Sequence, residues 1–480
     1  MITGCYNRLI FIGETAALAK VVIAFATCLL ETFARGMERF HRGNESLRIS
    51  IIPEEAPAVD PHLRRNYALG VINGSLYVLA ESLIDPALVL TWFLSRLSAP
   101  NVLIGLVVPL RDTGWFLPQL FVARHQARQP YKLPTYTATA LVRCIAWATM
   151  SIVVLTQRNP TVLIVGFFVP YVINSVASGW GGLPFMDVVA KTIPARRRGP
   201  YFATRMLIGG ALGIAGSLVV RLALGEQLGR AFPANVGQLI AIAGLFATVS
   251  LFTFTFVVEP PGEVGGEVSS LIAHLGRAAH LMRRDRNFRL FLTTRAVIMA
   301  AQMAAPFFAV YASRELGAGA EMVSVYLASN TAASVISNLM WSRLSERRGN
   351  RAVIRLAAGL GLSMTLLAWL AGPLDRALAV GAAAPWLFVV VFAISGAFQS
   401  GIGVGGMSLL LEMAPSDERA LYVGLTNSVL GVALLSTSIG GLLVDWLGYR
   451  GLFLLAACCY AVGLWTATRL REPRRMSSVE

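Results

Sequence analysis

Apolar residues run along this chain in long, nearly uninterrupted blocks, separated by short polar connectors rich in arginine. A helix needs about 20 apolar residues to cross a hydrocarbon core about 30 Å thick. Twelve blocks meet that length, at 67–95, 100–123, 134–156, 161–190, 201–224, 236–258, 288–313, 320–342, 352–372, 383–413, 420–446 and 450–469. The pattern predicts an all-α polytopic membrane protein of twelve transmembrane helices.

The connectors alternate in charge. One set holds Arg64 and Arg65, then Arg124, Arg128 and Lys132, then Lys191 and Arg196 to Arg198, then Arg277 to Arg289, then Arg343 to Arg351, then Arg419, and last Arg469 to Arg475. The other set holds little beyond Arg96, Arg158, Arg230, Arg314, Arg376 and Arg450. Basic loops stay on the cytoplasmic side, so both ends of the twelve-helix core are expected inside a plasma membrane. A miscounted span would break this alternation.

Composition agrees. The 480 residues are 55% hydrophobic and only 14% charged, with a mean hydropathy of +0.63, which excludes an ordinary soluble protein. The net charge of +15 would point to nucleic acid on a soluble face. Here the bases lie in connectors, so they report topology, and no nucleic-acid partner is expected. Cys5, Cys28, Cys144, Cys458 and Cys459 lack metal-type spacing, and no metal, cofactor or disulfide framework is expected.

Ahead of the core, residues 9–40 are apolar with Lys20, Thr27, Glu31 and Glu38 on a narrow stripe, as in a helix lying in the interface. The alternatives are a thirteenth span or a coding start placed too early. A proline-rich acidic linker, "PEEAPAVDP", follows from Pro53.

Two loops and the helices after them superpose. "PARRRGPYFATRMLIGG" begins at Pro194 and "PSDERALYVGLTNSVLG" at Pro415, 221 positions later. At that offset Arg198 meets Arg419, Tyr201 meets Tyr422, Gly210 meets Gly431, Ser217 meets Ser438 and Gly182 meets Gly403. Spans four and five then correspond to spans ten and eleven, as two six-helix halves require. The expected division is an N-terminal segment 1–66, a bundle 67–258, a cytoplasmic linker 259–287, a second bundle 288–470 and a tail 471–480.

This organisation resembles the major facilitator superfamily, whose members have two pseudo-symmetric six-helix bundles and a short basic loop between spans two and three, echoed between spans eight and nine. In the second copy Ser342 and Gly349 stand at the two glycine positions, Glu346 at the acid, Arg347 at the base, and Asn350 with Arg351 at the closing pair. Ser342 and Asn350 depart from the family pattern, and the first copy, "VARHQARQPYK", keeps the bases and lacks the acid. The resemblance implies that Glu346, Arg347, Gly349 and Arg351 form a cytoplasmic gate loop; an anchor for topology alone is the alternative. It also implies alternating access about a central site.

No phosphate-binding P-loop is present, and His41, His62, His125, His274 and His280 all lie outside the apolar blocks, so no enzyme is expected. The chemistry lies in charges within spans, where an ionisable group costs several kcal/mol unless paired or wet. Glu81 in span one, Arg111 and Asp112 in span two, and Arg143 in span three reach a similar depth, about 16 to 21 Å from their basic-loop ends at about 1.5 Å per residue, and Asp85 lies one turn beyond Glu81 on the same face. They are candidates for proton coupling; a fixed salt bridge from Glu81 or Asp85 to Arg111 is the alternative. Arg295, Gln302, Asn330, Asn338 and Gln399 are candidates for contact with substrate, although Arg295 lies near enough to the surface to snorkel. Asp187 and Glu412 fall at span ends, where pairing with loops is expected.

The glycine stretch "GGALGIAGS" from Gly209 resembles the glycine-rich fifth span of family antiporters without its proline, and is explained first by close helix contact. Pro86 and Pro306 interrupt the first span of each half. The expected function is secondary active transport of a small organic molecule coupled to protons or another ion, with export favoured. A transporter-like assembly factor for another membrane complex is the alternative.

Overall fold

The computed structural model describes residues 61–126, 129–227, 229–262, 280–378, 383–415 and 418–472. The expected helix at 9–40, the linker up to residue 60, most of the connector between halves and the tail from 473 lie outside them.

Twelve helices occupy the twelve apolar blocks: α1 Leu63–Leu83, continued by Pro86–Leu90 and Thr91–Arg96; α2 Asn101–Gln126; α3 Leu133–Thr156; α4 Pro160–Thr192; α5 Ala195–Leu224; α6 Ala234–Thr255; α7 Arg286–Ala301, continued by Gln302–Ala304 and Ala305–Glu315; α8 Ala320–Arg348; α9 Asn350–Leu378; α10 Ala384–Met413; α11 Arg419–Ser436, continued through Thr437–Ile439 to residue 447; and α12 over 449–469. A helix satisfies its own backbone, which lipid cannot do. Polar side chains mark some starts: Asn159 Oδ1 accepts from the Thr161 N–H at 2.9 Å, and Asp285 Oδ1 from the Phe288 N–H at 2.9 Å. Gly448, at φ 67°, turns the chain between α11 and α12.

Within the described residues nine helices are long and apolar enough to cross a membrane, and the last, Leu421–Arg469, holds two spans. With α2, which carries Arg111 and Asp112, and α8, which carries Asn330 and Asn338, they make twelve.

The helices pack as two like bundles. In the first, α1 meets α5 and α6, α3 meets α4 and α6, and α2 meets α4; in the second, α7 meets α11 and α12, α9 meets α10 and α12, and α8 meets α10. Each of these contacts recurs six helices later. The repeat also holds at residue level. Tyr67 of α1 lies edge-on to the buried Tyr201 of α5, centroids 5.4 Å apart. Phe288 of α7 meets the buried Tyr422 of α11 at 4.4 Å. Both members of the second pair are 221 positions beyond the first.

The bundles touch through α1 with α7, α2 with α11, and α5 with α8. Glycines permit the approach. A Cβ on Gly441 would lie 2.2 Å from the Asn101 carbonyl oxygen, and one on Gly210 would lie 2.6 Å from a Val335 methyl.

Candidate functional site

The first span of each bundle is broken at depth. At the α1 break Asp85 Oδ1 accepts the Ala87 and Leu88 N–H groups, each at 2.9 Å, and Pro86 opens the π-helical turn that follows. In α7 the break is the 3₁₀ turn Gln302–Ala304, with Pro306 opening the next segment. Beyond the breaks, 86–96 and 305–315 pack on one another at the end away from the basic loops. Trp92, Phe93, Phe307 and Phe308 are buried there, each 3% exposed or less.

A polar network ties the same end. Asn101 Nδ2 donates to Asp445 Oδ1 at 2.7 Å, and Arg314 donates to Asn101 Oδ1 at 3.3 Å, to the Tyr449 hydroxyl at 3.1 Å and to the Ser95 carbonyl at 3.3 Å. Asn101 and Ser95 belong to the first bundle, and the other three to the second. The described state is therefore closed across the bundles at the end opposite the basic loops.

One turn toward the basic loops from Asp85 lies the charged group foreseen in the sequence, with different partners. Arg111 Nε bonds its chain neighbour Asp112 at 2.7 Å, and the two side chains remain 40% and 30% exposed. Asp85 carries the helix break instead of a salt bridge to Arg111. Arg143, buried in α3, donates to the Tyr77 hydroxyl at 2.9 Å and to Asn174 Oδ1 at 3.2 Å, and its guanidinium lies 5.1 Å from the Tyr77 ring centre. Glu81 adjoins the Tyr77 hydroxyl and lies within reach of the charges of Arg111 and Arg143. Glu81, half-buried and capping no helix, thus shares the Tyr77 hydroxyl with Arg143.

Sequence reasoning passed over Arg205, which falls just over one turn inside the block expected at 201–224. It donates to the Tyr201 hydroxyl at 2.9 Å and to Asn73 Oδ1 at 3.2 Å, and the rings of Phe185, Tyr201 and Phe202 surround its guanidinium at 4.7 to 5.6 Å. Cation–π contact with three rings stabilises a charge held inside a helix bundle.

The second bundle presents mostly neutral groups. Arg295 NH1 donates to the Ile402 carbonyl at 2.5 Å and lies against Gly406, joining α7 to α10. Gln302 stands on the α7 break and donates to Met299 Sδ at 3.3 Å. Asn330 is half-buried with its carbonyl against Gly396, and Gln399 is exposed. Asn338 accepts from Ser400 at 2.6 Å, joining α8 to α10.

The loop between α8 and α9 is tied within its own bundle. Glu346 Oε1 accepts from Ser342 at 3.4 Å within α8, and Arg347 is exposed. Gly349, at φ 84°, turns the chain so that Glu472 Oε2 accepts the Arg351 N–H at 2.9 Å. Arg351 also donates to the Thr468 carbonyl at 2.7 Å, and Asn350 to Glu412 at 2.8 Å. Glu412 thus pairs with a loop, as expected from its place at a span end.

The first bundle repeats this cap with a residue the sequence reading left aside. Glu259, just past α6, accepts from the Lys132 and Leu133 N–H groups at 2.9 and 2.8 Å, and from Lys191 Nζ at 2.7 Å. Glu259 and Glu472 each follow the last helix of a bundle, and each is followed by proline. That Glu-Pro step was the available signal.

The family model described as Major Facilitator Superfamily matches residues 290–480. No curated protein matches the chain. Solved structures share the fold at low identity. A mutant of the nucleoside transporter NupG has TM-score 0.64 and 13% identity, covering 85% of this chain and 100% of its own. A D-xylose-proton symporter has TM-score 0.61 and 14% identity, covering 85% and 98%. A bacterial homologue of the iron transporter ferroportin, inward-facing, has TM-score 0.57 and 14% identity, covering 84% and 99%.

Proposed function

We propose a transport cycle for this chain, whose residues 290–480 match the Major Facilitator Superfamily model and whose fold is that of solved transporters. It moves a small organic solute by alternating access, takes its driving force from protons and works in the export direction. The observation that carries the reading is the gathering of Glu81, Arg111, Asp112 and Arg143 inside the first bundle, with Glu81 one turn from the α1 break whose outer half closes against α7.

An ionisable group inside a span is a candidate for proton exchange. Protonating Glu81 weakens its hold on Arg111 and Arg143 at the foot of the broken helix. That links proton occupancy to whether the outer half of α1 stays against α7. Solute enters between a charged first bundle and a neutral second one, where Gln302, Asn330 and Gln399 supply hydrogen bonds and Arg295 holds α10 in register.

Positive connectors favour the cytoplasm, so in this reading the described state is closed to the outside. That is the state in which an exporter loads its solute. The glycine stretch from Gly209 lets α5 lie against α1 and α8 together, with Gly209 over Val78 and Gly213 over Ser82 and Thr331. Bundles that rock need such a seam. A similar structure being a D-xylose-proton symporter supports proton coupling.

The test is reconstitution in liposomes with a pH-sensitive dye inside, screened against a panel of metabolites and toxic compounds. The expected result is proton flux that depends on one class of solute and is lost in Glu81→Gln. Solute flux that Glu81→Gln leaves unchanged, and that ignores the pH gradient, would remove the proton from the reading. An absence of solute-dependent flux across the panel would remove the cycle itself.

A further inference from the structure

At the basic end a groove lies along the start of the third helix of each bundle, and only the second copy, which α8 and α12 also wall, is lined by charge. The first copy, about 510 Å³, is walled by Pro130, Tyr131, Pro134, Thr135 and Ala138. The second, about 840 Å³, has Arg351, Arg355 and Gly359 in the places of Pro130, Pro134 and Ala138, each 221 positions later. Arg348 and Arg471 complete its wall, so four arginines face one carboxylate, Glu472.

We propose that this second groove is a binding site for one anionic phospholipid of the leaflet at the basic end. Its geometry divides as a lipid does. The arginines stand at the mouth: Arg348, Arg355 and Arg471 are exposed, and among the described residues the buried Nε of Arg351 has no hydrogen-bond partner. Arginine pairs with phosphate oxygens in a planar, often bidentate manner. Toward the membrane interior the lining becomes Leu356, Gly359 and Leu464. Leu356 is 52% exposed, and a Cβ on Gly359 would meet nothing within 4 Å. That leaves an apolar slot open along α9 for an acyl chain.

The height in the bilayer also fits. On α12 beside the groove Trp465 is 54% exposed, with the Arg469 guanidinium 3.7 Å above its ring centre. Tryptophan concentrates where headgroups meet hydrocarbon, with arginine reaching outward from it. A basic pocket between spans at that level suits an anionic headgroup. The neutral first copy shows that the fold does not require these arginines.

The experiment uses the full-length protein in neutral detergent, read by native mass spectrometry. It is titrated with phosphatidylglycerol, with phosphatidylcholine of the same chains, and with inorganic phosphate. Phosphatidylglycerol should be retained in preference to phosphatidylcholine and should resist displacement by phosphate. Arg355→Gln with Arg471→Gln should weaken retention about thirtyfold, at about 1 kcal/mol for each arginine near the surface. Gly359→Leu should weaken it with no change of charge, and Arg343→Gln, a basic residue near the end of α8 outside the groove, should not.

Equal retention of phosphatidylcholine would overturn the site, as would an equal loss in Arg343→Gln. Displacement by phosphate, or no effect of Gly359→Leu, would show an anion site without a lipid. Gel filtration and melting establish that each variant is folded. The three wild-type titrations decide the matter even where one is not.

Discussion

Asn66 and Asn287, 221 positions apart, make the same reciprocal pair of hydrogen bonds in the two bundles. Asn66 Nδ2 donates to the Val258 carbonyl at 3.0 Å, and the Val258 N–H donates back to Asn66 Oδ1 at 3.0 Å. Asn287 does this with Arg471, at 3.2 and 2.9 Å. Each amide joins the start of its bundle's first helix to the chain leaving the last. Asn66 is 2% exposed, so Asn66→Ala strands a backbone pair away from water and should cost about 1–3 kcal/mol. Asn287→Ala, with bonds near solvent, should cost about half as much. Thermal unfolding in one detergent ranks the two, and an equal loss would contradict the difference in burial.

Glu259→Gln should also destabilise, by about 2–3 kcal/mol, because it leaves Lys191 facing a neutral group in a partly buried place and weakens the cap of α3. The charge-reversed pair Glu259→Lys with Lys191→Glu should remain impaired, since only an acceptor at 259 can take the Lys132 and Leu133 N–H groups. Melting temperatures of the single and double variants check both statements.

Gly441→Val should shift the conformational balance. Its side chain would need the space held by the Asn101 carbonyl, and overpacking of that kind costs about 1–3 kcal/mol, borne by the state closed at that end. Distances between spin labels on Ser98 and Gly317, exchanged for cysteine, should lengthen in the variant. If the closed distance persists unchanged, α2 and α11 do not set the seal.

Asp85→Asn and Glu81→Gln should separate. Asparagine still accepts at the α1 break, so Asp85→Asn should cost about 0.5 kcal/mol or less, whereas Asp85→Ala should cost about 1–2 kcal/mol through the lost cap. Neither should abolish proton flux in liposomes, whereas Glu81→Gln should. Loss of flux in Asp85→Asn at unchanged melting would move the proton role to Asp85.

Arg205→Lys should behave more like an alanine substitution than a conservative one. A lysine keeps the charge and loses the planar group that bonds Tyr201 and Asn73 together while lying among three rings. We expect a cost of about 1–2 kcal/mol in unfolding free energy, given cation–π energies of about 0.5–2 kcal/mol.

Hydropathy is a local property, and it sufficed for the twelve spans, the breaks at Pro86 and Pro306 and the halves 221 residues apart. Apolar length and loop charge act residue by residue, and every alternative arrangement of such blocks exposes backbone to lipid. Partnership is not local. Which acid meets Arg111 depends on helix rotation and on competition from a neighbour, and Asp112, next along the chain, takes the bond that the salt-bridge alternative gave to Glu81 or Asp85. Arg205, Glu259 and Glu472 looked like residues at span edges until packing placed rings, helix starts and a lysine around them. The basic knot between α8 and α9 was legible as charge. That Gly349 turns it onto Glu472, and that its arginines meet Arg471 across a groove, depends on α12 lying beside α9, a contact between segments about 100 residues apart that no local pattern encodes.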